Sequence, residues 1–376
     1  MKLPITILFV LLLFNCKNQK KTDVPQETKA EESIFYVGTY TSKESKGIYK
    51  YSLNSDGKLK NIGLVAKADN PSYLALSNDN KYLLAVNEVN EDSTGFVSAF
   101  KIEKDSLKFL NEVDSGGPHP CHINVNKNNT VLVSNYTGGS LSLLELNNNG
   151  VVSNIFDKKQ HVGKGSTDRQ EAPHVHSAWY DKNGQIVCLD LGTNDLWFYK
   201  IDKDNHQLKA TNQEKLTMNE GAGPRHLAFH PTKDLAYVFN ELNNTITVIL
   251  KSENGIYTKG KSFSTLPDDF NDFSTGADIH VTADGKFLYA SNRGHNSIAI
   301  FKIDESGKEL AVVGFEPTRG DHPRNFSVSP DENYLLVANQ ETDTIISFKR
   351  DTVTGVLSFV DEIKAFTPTC ILFTEE

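Results

Sequence analysis

Six stretches of this 376-residue chain are versions of one another. PSYLALSNDNKYLLAVNE starts at Pro71 and PCHINVNKNNTVLVSNY at Pro120. HVHSAWYDKNGQIVCLDL starts at His174 and PRHLAFHPTKDLAYVFNE at Pro224. ADIHVTADGKFLYASNR follows at Ala277 and PRNFSVSPDENYLLVANQ at Pro323. Each gives a short β-rich run, a polar turn such as ADGK or PDEN, and a second run that ends near Asn. A third run follows, as in SLSLLEL, TITVIL, SIAIFKI and TIISFKR, and a fourth is weaker. β-Branched and aromatic runs split by turn residues are the pattern of strands. No helix is expected after residue 32. The spacing, about 45 to 55 residues, is that of propeller blades, units that bury their faces only by stacking on neighbours.

The two ends of the chain complete the count. PTCILF, from Pro368 to Phe373, reads as an innermost strand with nothing after it. SIFYVGTY, GIYKYSLN and KLKNIGLV read as second, third and fourth strands with no first. Joined, they make a seventh blade, and a ring closed from both termini leaves no open sheet edge. The expected architecture is therefore all-β: a seven-bladed β-propeller over residues 33–376. Its fifth repeat, starting at Ala277, is expected to be a residue or two short.

Residues 1–15 differ in kind. MKLPITILFVLLLFNC carries one lysine, an apolar run from Ile5 to Phe14, and then Cys16. The run is too short for a stable bilayer span and reads as a secretory signal peptide. A cysteine closing such a segment resembles a bacterial lipoprotein box. Lipidation of Cys16 and an extracytoplasmic, membrane-anchored location are expected. Residues 16–32 are polar and unperiodic, which suits a flexible tether. The remaining cysteines, Cys121, Cys188 and Cys370, form an odd trio without CxxC spacing. They are expected to be buried small apolar residues, neither disulfides nor zinc ligands. A net charge of −9 argues against a nucleic-acid partner.

In a four-stranded blade, the connection into the innermost strand and the one joining the second strand to the third lie on one face of the disc. Five of the six arginines fall in these connections: Arg169, Arg225, Arg293, Arg319 and Arg324. So do eight of the eleven histidines: His119, His122, His174, His176, His226, His280, His295 and His322. Guanidinium, rather than ammonium, suits bidentate binding of carboxylate or phosphate. A functional site at one mouth of the central channel follows. The Asn that closes most second strands is expected to serve a hydrogen bond within its blade. Of His174 and His176, only one is expected to face the channel. HExxH, aspartate-rich calcium loops, GxSxG, GxGxxG and Walker loops are missing from the sequence, so neither a metal nor a cofactor is expected. Chemistry must rest on His, Glu and Arg.

The motifs GTYT, NE at Glu88, PHPCH, NYTGGS, PHVH, DLG, GPRH, FNEL, NRGHNSIA, HPRNF and VANQ, taken in order, resemble the lactonase family of seven-bladed propellers. Its best-known members are bacterial 6-phosphogluconolactonases, and a fungal relative is a carboxymuconate cyclase. The resemblance implies a catalytic set of His176, Arg225, Glu241 and Arg293. In that set Glu241 would activate water. Arg225 and Arg293 would stabilise charge at the carbonyl oxygen or hold an anionic group. His176 would protonate the ring oxygen. His122, Arg169, His226 and Arg324 are second-choice ligands for phosphate or sugar hydroxyls, and Glu88 is the alternative to Glu241. The implied partner is a small lactone. A muconate-type cyclase and a non-catalytic ligand-binding propeller are the competing readings. An exported protein does not meet cytoplasmic sugar phosphates, so an unphosphorylated lactone outside the cytoplasm is a further alternative.

Overall fold

The computed structural model describes residues 32–374, with Met1 and Pro4. The signal peptide, Cys16 and the tether before residue 32 lie outside the described residues. Among the described residues there are 28 strands and one helical turn, the 3₁₀ turn Asp168–Gln170. The strands form seven four-stranded antiparallel sheets. Six are consecutive in sequence, spanning residues 73–114, 120–160, 175–217, 224–264, 275–317 and 323–364, here blades one to six. Blade seven joins the chain ends. Pro368–Phe373 pairs with Ser33–Thr39 in a register that sets Val37 opposite Ile371. Every innermost strand touches the innermost strands on both sides, so the ring is closed.

The core lies between blades. Second strands such as Leu235–Asn240 and Phe287–Arg293 are buried at every position because a sheet packs on both their faces. Tyr237 and Phe239 of blade four pack on Leu288 and Phe301 of blade five. Equivalent apolar clusters fill the other six gaps. Outermost strands alternate instead between half-buried and exposed residues, as in Gln207–Thr217.

The asparagines that close second strands make the expected bonds within their blades, Asn135 Nδ2 donating to Ser140 Oγ at 3.1 Å and Asn240 Nδ2 to Thr247 Oγ1 at 2.9 Å, and they also reach beyond them. Asn135 Nδ2 donates to Ser115 O and Asn339 Nδ2 to Thr318 O, tying each blade's second strand to the segment that leaves its neighbour's outer strand. Blade three has Asp190 there. Its carboxylate accepts from His161 Nδ1 at 2.7 Å, His174 N at 2.8 Å and Thr193 N at 2.9 Å. Tyr199 Oη meets the other ring nitrogen of His161 at 3.0 Å, and Trp197 stacks on its face. Asp190 and His161 are both fully buried. Asp190→Ala strands three buried donors and is expected to cost about 3–5 kcal/mol. Urea unfolding midpoints check this, and an unchanged midpoint would rule out a structural role for the network.

A regular strand sends alternate side chains to opposite faces. Six innermost strands break that rule with a bulge, at Cys121, His176, Arg225, Arg324 and Thr369 and across Ala277–Asp278. A bulge leaves one residue unpaired and re-aims its side chain. The fifth repeat corrects the expectation made for it. Its innermost strand, Thr275–Val281, begins two residues before Ala277 and carries a one-residue bulge like the others.

Candidate active site

Three of the bulge residues, Cys121, His176 and Arg324, join residues at the ends of the second strands around a cavity of about 210 Å³ to which every blade contributes. Glu241 organises one wall. It follows strand Leu235–Asn240, and its N–H donates to Gly223 O at 2.7 Å. Gly223 has φ +66°, and a Cβ there would meet Leu242 Cγ at 2.6 Å, so the turn that delivers Arg225 requires glycine. Three guanidiniums converge on the Glu241 carboxylate. Arg293 Nη2 lies 2.9 Å and Arg225 Nε 3.2 Å from Oε2, and Arg169 Nη2 donates to Oε1 at 3.0 Å. Burial favours the protonated acid, but Arg293, Arg225 and Arg169 outweigh it and hold the carboxyl at about 2. Arg169 comes from the 3₁₀ turn, is half exposed, and also donates to Tyr136 Oη at 2.9 Å.

His176 lies beside this wall, its Nε2 4.0 Å from Glu241 Oε2. Burial, then Arg225 and His226, push its pKa well below the ordinary imidazole value, so the ring is neutral. His174 does not enter the cavity. It precedes strand Val175–Tyr180, stacks on Tyr136 and contacts Glu171. Two residues apart in a regular strand would share a face; the bulge at His176 separates them.

A second group occupies the other side of the ring. Tyr40 Oη donates to Glu88 Oε2 at 2.9 Å and accepts from Arg324 Nη2 at 2.7 Å. Arg324 Nη2 is 4.0 Å from Glu88 Oε2. Cys121 completes the wall, its thiol donating to His176 O at 3.2 Å. Burial pushes that thiol well above its ordinary value, so it is no nucleophile.

The structure thus brings His176, Glu241, Arg293, Arg169, Arg324 and Glu88 to the cavity. It does not bring the rest of the predicted set there. Arg225 stands behind Glu241, its Nη1 donating to Ala277 O at 2.7 Å. Next to it His226 Nδ1 faces Asp278 Oδ1 at 2.8 Å and Nε2 faces Arg225 Nη1 at 3.2 Å. Burial and then Arg225 hold His226 down at about 4. It is a neutral link in a buried layer, with Nδ1–H donated to Asp278. His122 lies in the same layer between Tyr73 and Trp179. Neither histidine lines the cavity. Arg319 sits apart, exposed, over the ring of Phe359. Tyr40, Tyr136 and Cys121 also line the cavity, although the sequence reading gives neither tyrosine a role and expects Cys121 only to be buried. Each stands in a motif read from the sequence: GTYT, NYTGG and PCH. No group of three or more His, Cys, Asp or Glu side chains is placed to hold a metal ion among the described residues.

The family model described as a lactonase, 7-bladed beta-propeller, matches residues 34–373. The chain belongs to this family. It is 38% identical over 350 residues to the 6-phosphogluconolactonase of Bacillus subtilis, covering 91% of this chain and 99% of that one. It is 36% identical to the 6-phosphogluconolactonase of Formosa agariphila, with 86% and 94% covered. The solved structure of the periplasmic gluconolactonase of Pseudomonas aeruginosa superposes with a TM-score of 0.87 at 27% identity, with 92% and 99% covered.

Proposed function

We propose that this lactonase-family protein hydrolyses a sugar δ-lactone to the open hydroxy acid, as a carboxylic ester hydrolase of the 6-phosphogluconolactonase kind. One observation carries the reading. Four guanidiniums, Arg169, Arg225, Arg293 and Arg324, face two carboxylates, Glu88 and Glu241, in and directly behind the cavity wall. With Asp278 in the buried layer that holds Arg225, the formal excess is one positive charge in a largely buried site. Such a site favours an anionic substrate and the negative charge that develops on a carbonyl oxygen under attack. The relatives named above support the same chemistry.

The geometry changes two of the roles given to these residues. Glu241, pinned by three arginines and held at about 2, is a poor proton acceptor. It fixes the guanidiniums in place. His176 is neutral, so it does not protonate the leaving oxygen as an imidazolium; its ring can orient the substrate by hydrogen bonds. Arg293 lines the cavity and is the group placed to receive the carbonyl oxygen.

Acid release in weak buffer tests the reading, with 6-phosphogluconolactone and glucono-δ-lactone compared against spontaneous hydrolysis. Acceleration of either supports it; no acceleration of any sugar lactone sinks it. Likeness to a periplasmic gluconolactonase favours a second outcome, preference for the unphosphorylated lactone. That outcome fits the proposed location outside the cytoplasm, on a lipid anchor at Cys16. Cys16→Ala is expected to move the protein from the membrane to the soluble fraction, read by detergent partitioning; an unchanged distribution would refute the anchor.

A further inference from the structure

Two carboxylates reach the cavity, and their surroundings differ. Glu241 belongs to blade four, and three guanidiniums stand within 3.2 Å of it. Glu88 belongs to blade one, across the ring. Its Oε2 accepts from Tyr40 Oη at 2.9 Å, and the nearest guanidinium nitrogen, on Arg324, is 4.0 Å away. Its Oε1 accepts no hydrogen bond from any described residue, and the side chain lines the cavity while 14% exposed. The backbone is held at two points: Glu88 N donates to Asn70 O at 3.0 Å, and Asn70 Nδ2 donates to Glu88 O at 3.3 Å. A held carboxylate with one unpaired oxygen, on the wall of a small cationic cavity, is what a proton acceptor requires.

Resting on the lactonase reading, we propose that Glu88 is the general base of this site and that Tyr40 and Asn70 are its positioning residues. Glu88 Oε1 takes a proton from a water molecule as the water oxygen bonds to the lactone carbonyl carbon. The carbonyl π electrons move to oxygen, and that oxyanion rests against Arg293. When the tetrahedral intermediate collapses, the ring C–O bond breaks. The departing ring oxygen takes the proton back from Glu88. The products are a hydroxyl and a carboxylic acid, which ionises in solution and releases the proton that the assay detects. Glu88 ends unprotonated, ready for another turnover. The one carboxylate thus serves first as base and then as acid, and no imidazolium is needed.

The test uses the full chain and whichever lactone the wild-type protein hydrolyses. Glu88→Gln keeps the shape and removes the proton acceptor. It is expected to lower kcat by about 100-fold or more while KM stays within about threefold. A kcat within about fivefold of wild type, or a loss confined to KM, would overturn the proposal and make Glu88 a substrate-binding group. Should the Gln variant unfold, Glu88→Ala in added formate decides. Formate supplies a carboxylate to the vacated space, so recovery of kcat upholds the base and no recovery overturns it. A wild-type protein that hydrolyses no lactone fails the lactonase reading itself. An active wild type with an active Glu88→Gln fails only this inference.

Discussion

Glu241→Gln is expected to lower kcat/KM by about 100- to 1,000-fold without removing any group that bonds to the reacting atoms. The substitution leaves three guanidiniums packed around a neutral amide, and the geometry that aims Arg293 at the substrate relaxes. Stability falls too. Breaking a buried ion cluster by removing one partner costs about 3–5 kcal/mol. This loss has a pH dependence whose sign is fixed. Burial works against the Glu241 carboxylate, but the arginines hold its folded-state pKa at about 2, below the ordinary 4.5. A carboxyl depressed on folding stabilises the folded state above its ordinary pKa. That stabilisation, about 3 kcal/mol here, is lost as pH falls from about 4.5 through about 2. Urea unfolding of wild type and variant at pH 7 and pH 3 checks it. The wild type's advantage should shrink in acid; an advantage equal at both pH values would refute the account.

The blades were legible because each must satisfy its own hydrogen bonds and bury its own faces. Polar turns and apolar runs therefore recur with every unit, and PTCILF and SIFYVGTY are recognisable as two parts of one sheet. The mouth was legible for a chemical reason: arginines concentrate where guanidiniums are used, while lysines scatter over solvated surface. The depth of each residue was not. His176 and Arg225 occupy equivalent bulges in adjacent blades, yet His176 lines the cavity and Arg225 lies behind Glu241. His226, one residue past its bulge, pairs with Asp278 in the buried layer. Which way a side chain leaves a bulged strand depends on a one-residue slip between partners, and a single sequence carries no mark of it. The fifth repeat looked short because its innermost strand opens on Thr275 and Gly276, where four of the others open on proline. Glu88 and Glu241 occupy matching positions in their repeats. The arginines around each distinguish them, and all of these but Arg225 come from other blades.

Arg293→Lys keeps the charge, and its expected cost is still about 100- to 1,000-fold in kcat, with a smaller change in KM. The reason is how the guanidinium is held. A single nitrogen, Nη2, donates to Gly276 O at 2.6 Å and pairs with Glu241 Oε2 at 2.9 Å. Those two anchors fix the plane of the fork, and the side chain is only 8% exposed, so its aim into the cavity costs little reorganisation when charge develops. An ammonium on a flexible stem can meet the carbonyl or the carboxylate, or turn toward the substrate, but it has no rigid fork with which to do all three. Steady-state kinetics separate the contributions. If Arg293 binds the oxyanion, the loss falls on kcat, because that charge is fully present only near the transition state. If Arg293 holds a permanent anionic group of the substrate, the loss falls on KM and disappears with a neutral lactone. A Lys variant within about threefold of wild type in both constants would exclude either role and leave Arg293 as a structural partner of Glu241.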